Sequence, residues 1–105
     1  MQSVGVLRKK TRLMPERIYG FGDAAALAGN WPGVRRARYV SILTGDAMRD
    51  VIEVSFWPWT RNKRKVCLAL AGEISTRFVE QPAPRISIMR DRAVRRLLAL
   101  NKENG

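Results

Sequence analysis

Two kinds of side chain in this sequence could do chemistry, aromatic rings and cations, and they meet in one short stretch. Phe56-Trp57-Pro58-Trp59-Thr60-Arg61-Asn62-Lys63-Arg64-Lys65 sets Trp57 and Trp59 on either side of a proline and follows them with Arg61, Lys63, Arg64 and Lys65. Proline fixes the backbone between the rings, so little entropy is lost in ordering them. Flat rings beside cations are how proteins hold single-stranded nucleic acid. Each stacked base contributes about 1–3 kcal/mol, and the cations track phosphates. The competing structural reading has both tryptophans packing the sheet, as large aromatics mostly do, with the cations merely solvated.

Two further basic clusters could extend such a surface. Arg35, Arg36 and Arg38 crowd together beside Tyr39. Arg92, Arg95, Arg96 and Lys102 fall on one side of an expected C-terminal helix. Charges opposite an apolar stripe are ordinarily a solvated face, yet three arginines with one nearby acid also suit phosphate contacts. A basic amphipathic helix can lie on a membrane, but a core this small needs its apolar side. Arg8, Lys9, Lys10 and Arg12 form an N-terminal run that reads equally as a solvated arm or a phosphate contact.

The overall charge supports a polyanionic partner. Lys plus Arg is 20 against 9 Asp plus Glu, a net charge of +11. The isoelectric point is about 11.3. Arginine supplies 15 of the 20 cations, and it forks onto phosphate and stacks on bases where lysine offers a point charge. DNA and RNA both fit, single strands somewhat better; an acidic protein surface is the alternative, with Trp57 and Trp59 as anchors inside a cationic rim.

What is missing narrows the chemistry. There is no histidine, the commonest general base and transition-metal ligand. One cysteine, Cys67, cannot build a zinc site or an internal disulfide, and its apolar neighbours make it a core filler. No cofactor or metal is expected. A histidine-free ribonuclease would need Tyr19, Tyr39, Glu53 and Glu73 to converge with Arg or Lys, and no spacing signals that. Gly20-Phe21-Gly22-Asp23-Ala24-Ala25 matches a dinucleotide-binding pattern formally. It lacks the preceding apolar strand and the βαβ unit of about 30 residues, and Asp23 would repel a pyrophosphate.

The elements that must position these residues follow from periodicity. With 105 residues the chain suits one small domain spanning residues 1–105. No run of about eighteen apolar residues occurs. The N-terminus lacks a signal-peptide pattern, and a cytoplasmic location is the default. Val4 and Val6 suggest a strand within residues 3–13. Asp23 is a good N-cap for a short helix, Ala24 to Ala28, stopped by Gly29-Asn30, with Trp31 plugging its end. Arg38 to Thr44 and Val51 to Trp57 alternate as strands, with a turn opening at Thr44-Gly45-Asp46 and closing at Asp50. Lys65 to Ala71 also alternates, with Val66, Leu68 and Leu70 on one face, and reads as the returning arm of a hairpin whose tip carries the tryptophans. The small residues facing Glu53 and Ser55 suggest a thinly covered second face. Ile74 to Val79 and Arg85 to Met89 read as further short strands. Arg92 to Lys102 is the clearest helix, with an apolar arc of Ala93, Val94, Leu97, Leu98, Leu100 and Asn101.

The expectation is an α+β fold: a small, mainly antiparallel sheet of four to five strands, a C-terminal amphipathic helix and a short helix in the N-terminal half. Its function is expected to be non-enzymatic nucleic-acid binding, and homodimerisation is compatible because the sheet has edges to manage.

Overall fold

The longest alternating run of the sequence folds as a hairpin in the computed structural model, which describes residues 14–104. Strand β1, Val34–Thr44, pairs antiparallel with β2, Ala47–Phe56, from Val34↔Phe56 to Thr44↔Ala47. The turn is tighter than expected: Gly45 and Asp46 alone make it, and the second strand begins at Ala47 rather than after Asp50. Gly45 takes φ 62° at the first turn position, where a side chain would be strained.

A third strand, β3, Ser87–Arg90, lies parallel to β2, with Ile52↔Ile88 and Val54↔Arg90 in register. The sheet order is β1-β2-β3. Three helices accompany it: α1, Phe21–Gly29; α2, Lys63–Arg77; and α3, Asp91–Asn104. The fold is α+β as expected, but the sheet of four to five mainly antiparallel strands is corrected to three strands in a mixed sheet among the described residues. The strand expected within residues 3–13 and the basic run beside it lie outside the described residues, as do the side chains of Asn101 and Lys102.

The main correction is α2. The strand expected over Lys65 to Ala71 and most of the one expected over Ile74 to Val79 are this one helix; only Phe78, just beyond it, makes an isolated β-bridge, with Ile18. Val66, Leu70 and Ile74 recur every fourth residue, and the helix turns that stripe to the core, with Leu70 and Ile74 buried and Val66 half-buried; Leu68 falls off it and is 67% exposed. Ala69 and Ala71 favour the helix further. The alternation of Val66, Leu68 and Leu70 is therefore incidental. The tryptophans do not sit on a hairpin tip but in the link from β2 to α2.

The two faces of the sheet carry separate clusters. Ile52 and Val54 pack on one face against Ala24, Leu27 and Ala28 of α1 and Leu70 and Ile74 of α2. Trp31 is half-buried against this cluster, as its plug role requires. Helix α1 begins earlier than expected, at Phe21 after Gly20. Asp23 lies in its first turn, and its carboxylate accepts the Tyr19 amide at 2.9 Å. Phe21 stacks on Tyr39 of β1 with ring centroids 4.8 Å apart. The Tyr39 hydroxyl donates to Asp50 at 2.6 Å, and this bond, together with desolvation, holds its proton above the usual tyrosine range.

On the other face Ile42 and Val51 meet Val94 of α3, flanked by Val40, Met89 and Leu97. The face expected to be thinly covered is therefore covered, and Glu53 and Ser55 are buried on it. Each has a partner, as burial demands. Glu53 accepts the Arg38 Nε–H at 2.7 Å, and Ser55 Oγ donates to Asp91 at 3.1 Å. Asp91 also accepts the Arg92 amide at 2.8 Å, which satisfies a donor at the start of α3. The apolar arc of α3 is narrower than its sequence suggests: Val94 is buried and Leu97 half-buried, while Leu98 and Leu100 are exposed. No helix among the described residues is long and apolar enough to cross a membrane.

Candidate nucleic-acid interface

Because β3 runs parallel to β2, both strands end at the same edge of the sheet. Six chain segments meet there. β1 starts at this edge, opposite the end of β2 at Phe56. The link 57–62 leaves β2 and enters α2 at Lys63. β3 ends at Arg90, level with Val54, and α3 starts immediately at Asp91. Crevices outside the carboxyl ends of parallel strands are where open α/β sheets bind ligands. Two helix N-termini, those of α2 and α3, also bring their positive dipole ends here. The first turn of α2 contains no acid.

The link is built to hold the tryptophans. Pro58 occupies the second position of a turn closed by the Thr60 amide donating to the Trp57 carbonyl at 3.0 Å. The turn lays Trp57 on Trp59, with ring centroids 5.0 Å apart and planes 9° apart. The Arg35 guanidinium stands over the Trp57 ring, 5.9 Å from its centroid. Thr60 Oγ1 donates to the Gly33 carbonyl at 2.7 Å, and the Trp57 amide donates to the same oxygen at 3.2 Å. These bonds fasten the link to the turn before β1. Gly33 is required at that contact. Its φ is +89°, and a Cβ there would lie 2.8 Å from Thr60 Cγ2. We expect Gly33→Ala to lose roughly 1–2 kcal/mol of stability from the backbone conformation alone, read from a urea melt, and to loosen the tryptophan pair.

The sequence reading of the rings therefore needs one refinement. Neither tryptophan packs the core: Trp57 is 38% and Trp59 69% exposed. Trp57 is nonetheless engaged, by Trp59 and by Arg35. The open aromatic surface belongs to Trp59.

Members of all three basic clusters lie at this edge. Arg61 lies on the link and Lys63, Arg64 and Lys65 on the first turn of α2, where the Lys63 ammonium donates to the Thr60 carbonyl at 2.7 Å. Arg36 and Arg38 pair with Ser55 and Glu53 across the hairpin, which puts them on the face covered by α3. Both are exposed. Arg38 is tied to Glu53, whose hydrogen bond and charge raise its pKa and hold the guanidinium cationic. Arg92 and Arg96 of α3 line a cleft together with Arg64 of α2, while Arg95 is exposed but is not among the cleft's lining residues. The sequence reading missed Arg90, which ends β3 and lines the same cleft. The signal available was its place in Met89-Arg90-Asp91-Arg92, a strand running straight into a capped helix.

The acids at this edge are already engaged. Glu53 is bonded to Arg38, and Asp91 to Ser55 and Arg92. Cys67 is half-buried against the core, as expected, and also lines the cleft. Burial pushes its thiol above the usual range, and the Arg90 charge opposes that shift. The constellation considered for a ribonuclease does not assemble. Tyr39 and Glu53 fall on opposite faces of the sheet, and Glu73 of α2 is bonded to Arg77 at 2.8 Å. No group of three or more acidic or thiol side chains that could hold a metal occurs among the described residues. No protein-family model matches the chain, and neither a curated protein nor a solved structure matches it.

Proposed function

We propose that this protein is a non-enzymatic binder of single-stranded nucleic acid, DNA or RNA, that works through the edge where β2 and β3 end. The observation that carries the reading is topological. A parallel strand pair and two helix starts bring Arg35, Arg64, Arg90 and Arg92 to one edge beside an exposed, stacked tryptophan pair. Cations spaced along one edge suit consecutive phosphates, and the open face of Trp59 suits a base. A duplex keeps its bases stacked on each other and has no such use for the ring, which favours a single strand.

The account predicts that a fluorescein-labelled single strand binds with an affinity that falls steeply as salt rises. Trp59→Ala should cost about 1–3 kcal/mol of that affinity, and Trp59→Phe less, because a smaller ring still stacks. Fluorescence anisotropy reads both. No binding to any oligonucleotide at about 50 mM salt would refute the reading. A pull-down of partner protein that survives nuclease treatment would point instead to docking on an acidic protein surface.

A further inference from the structure

The cleft between the starts of α2 and α3 has a composition that a single phosphodiester does not match. Four guanidinium groups line it, those of Arg64, Arg90, Arg92 and Arg96, and no carboxylate does. Two other clefts on the molecule set their arginines beside acids: Arg17 and Arg77 beside Glu16 and Glu73, and Arg49 and Arg85 beside Asp50. The cleft has a volume of about 720 Å³, within the range of small-ligand sites, and Met89 and Cys67 lend it an apolar part. Its arginines come from three elements, so the fold rather than one run of sequence assembles it. The start of α3, a helix of 14 residues, lies in its wall.

A phosphodiester in a strand carries one negative charge. A phosphate monoester carries about −1.5 to −2 near neutral pH and offers three acceptor oxygens. Several forked guanidinium groups lining one cleft suit the latter. We propose that this cleft binds a phosphate monoester, the terminal phosphate of a nucleic-acid strand, so that the protein recognises strand ends. The proposal rests on the nucleic-acid reading for the rest of its ligand. The same chemistry is offered by a free nucleotide, and the test separates the two.

The experiment compares three otherwise identical labelled single strands: 5′-phosphorylated, 3′-phosphorylated and unphosphorylated. Alongside it, alkylation of Cys67 by iodoacetamide at alkaline pH is timed with and without pyrophosphate or AMP. Cys67 is the chain's one cysteine, so the label reports on the cleft alone. One phosphorylated strand should bind roughly tenfold tighter than the unphosphorylated one. Arg64→Gln with Arg96→Gln should bring that ratio close to one, and circular dichroism should show the variant folded, since both side chains are exposed. Arg49→Gln, at the hairpin turn, should keep the ratio. Pyrophosphate and AMP should slow alkylation by covering the thiol. Equal binding of all three strands overturns end recognition and leaves the nucleic-acid reading standing. Protection of Cys67 with no strand binding removes the nucleic-acid reading and end recognition with it, and assigns the cleft to a free nucleotide. Neither binding nor protection overturns both.

Discussion

Replacing Arg36, Arg64, Lys65 and Arg92 together by glutamine should flatten the salt dependence of single-strand binding. Each phosphate contact on a single strand contributes about 0.7 to the slope of log affinity against log salt, so four contacts contribute about 2.8. Over a rise from about 50 to about 200 mM salt, that slope difference is worth roughly fiftyfold in affinity. The four side chains come from β1, α2 and α3, are all exposed, and belong to neither core cluster, so the variant should fold. Removing Arg17, Arg49 and Arg85 lowers the net charge by three but acts away from the edge, and should change the slope little. If the two variants lose the same slope per charge removed, the protein attracts polyanions through its overall charge and the edge has no special role.

The second large effect concerns stability and the identity of α2. Leu70→Ala should destabilise the protein by about 2–5 kcal/mol, because Leu70 is completely buried against Ile52 and Val54 and its loss leaves a cavity. Leu68→Ala should change stability by no more than about 0.5 kcal/mol, because that side chain is on the surface. A strand through Lys65 to Ala71 would put Leu68 and Leu70 on one face and make their losses similar. Urea melts of the two variants therefore decide between helix and strand. For a domain of this size each kcal/mol shifts the melting temperature by about 4–8 °C, so the Leu70 effect should also be plain by thermal melting.

Much of the hairpin was legible because alternation has one reading when both strands run long. Val40 and Ile42 do face one way, and Ile52, Val54 and Phe56 share a face. The segment after Pro58 was not legible by the same rule. A short apolar run at alternate positions also contains a four-residue spacing, and the choice between them depends on what lies above the sheet. Misreading α2 had a further consequence. A helical crossover lets the next strand run parallel to β2, whereas a tight hairpin would not. The strand expected over Arg85 to Met89 exists but is shifted to Ser87–Arg90, with Ile86 and Ile88 packed inward, and its direction depends on α2.

The site shows the same dependence. The residue types were plain: the tryptophan pair, Arg35 and the cations of Arg61 to Lys65. That they would meet Arg92 and Arg96 was not, because only the parallel return of β3 brings the start of α3 beside the start of α2. Arg90 went unnoticed as a single arginine at a strand end. Glu53 and Ser55 looked like the polar side of a half-covered sheet, and it is α3 that buries them. Their pairing with Arg38 and Asp91 engages the acids of this edge, and no carboxylate lines the cleft that holds Arg64, Arg90, Arg92 and Arg96.

The most direct test follows amide resonances as a short single strand is titrated into isotope-labelled protein. The account predicts that shifts cluster in residues 33–38, 57–67 and 89–96, with the Trp59 indole N–H among the largest, and that the hairpin turn at residues 43–48 and the end of α2 at residues 73–78 stay still. Shifts centred on the hairpin turn or the end of α2, or none at a saturating concentration of strand, would contradict it.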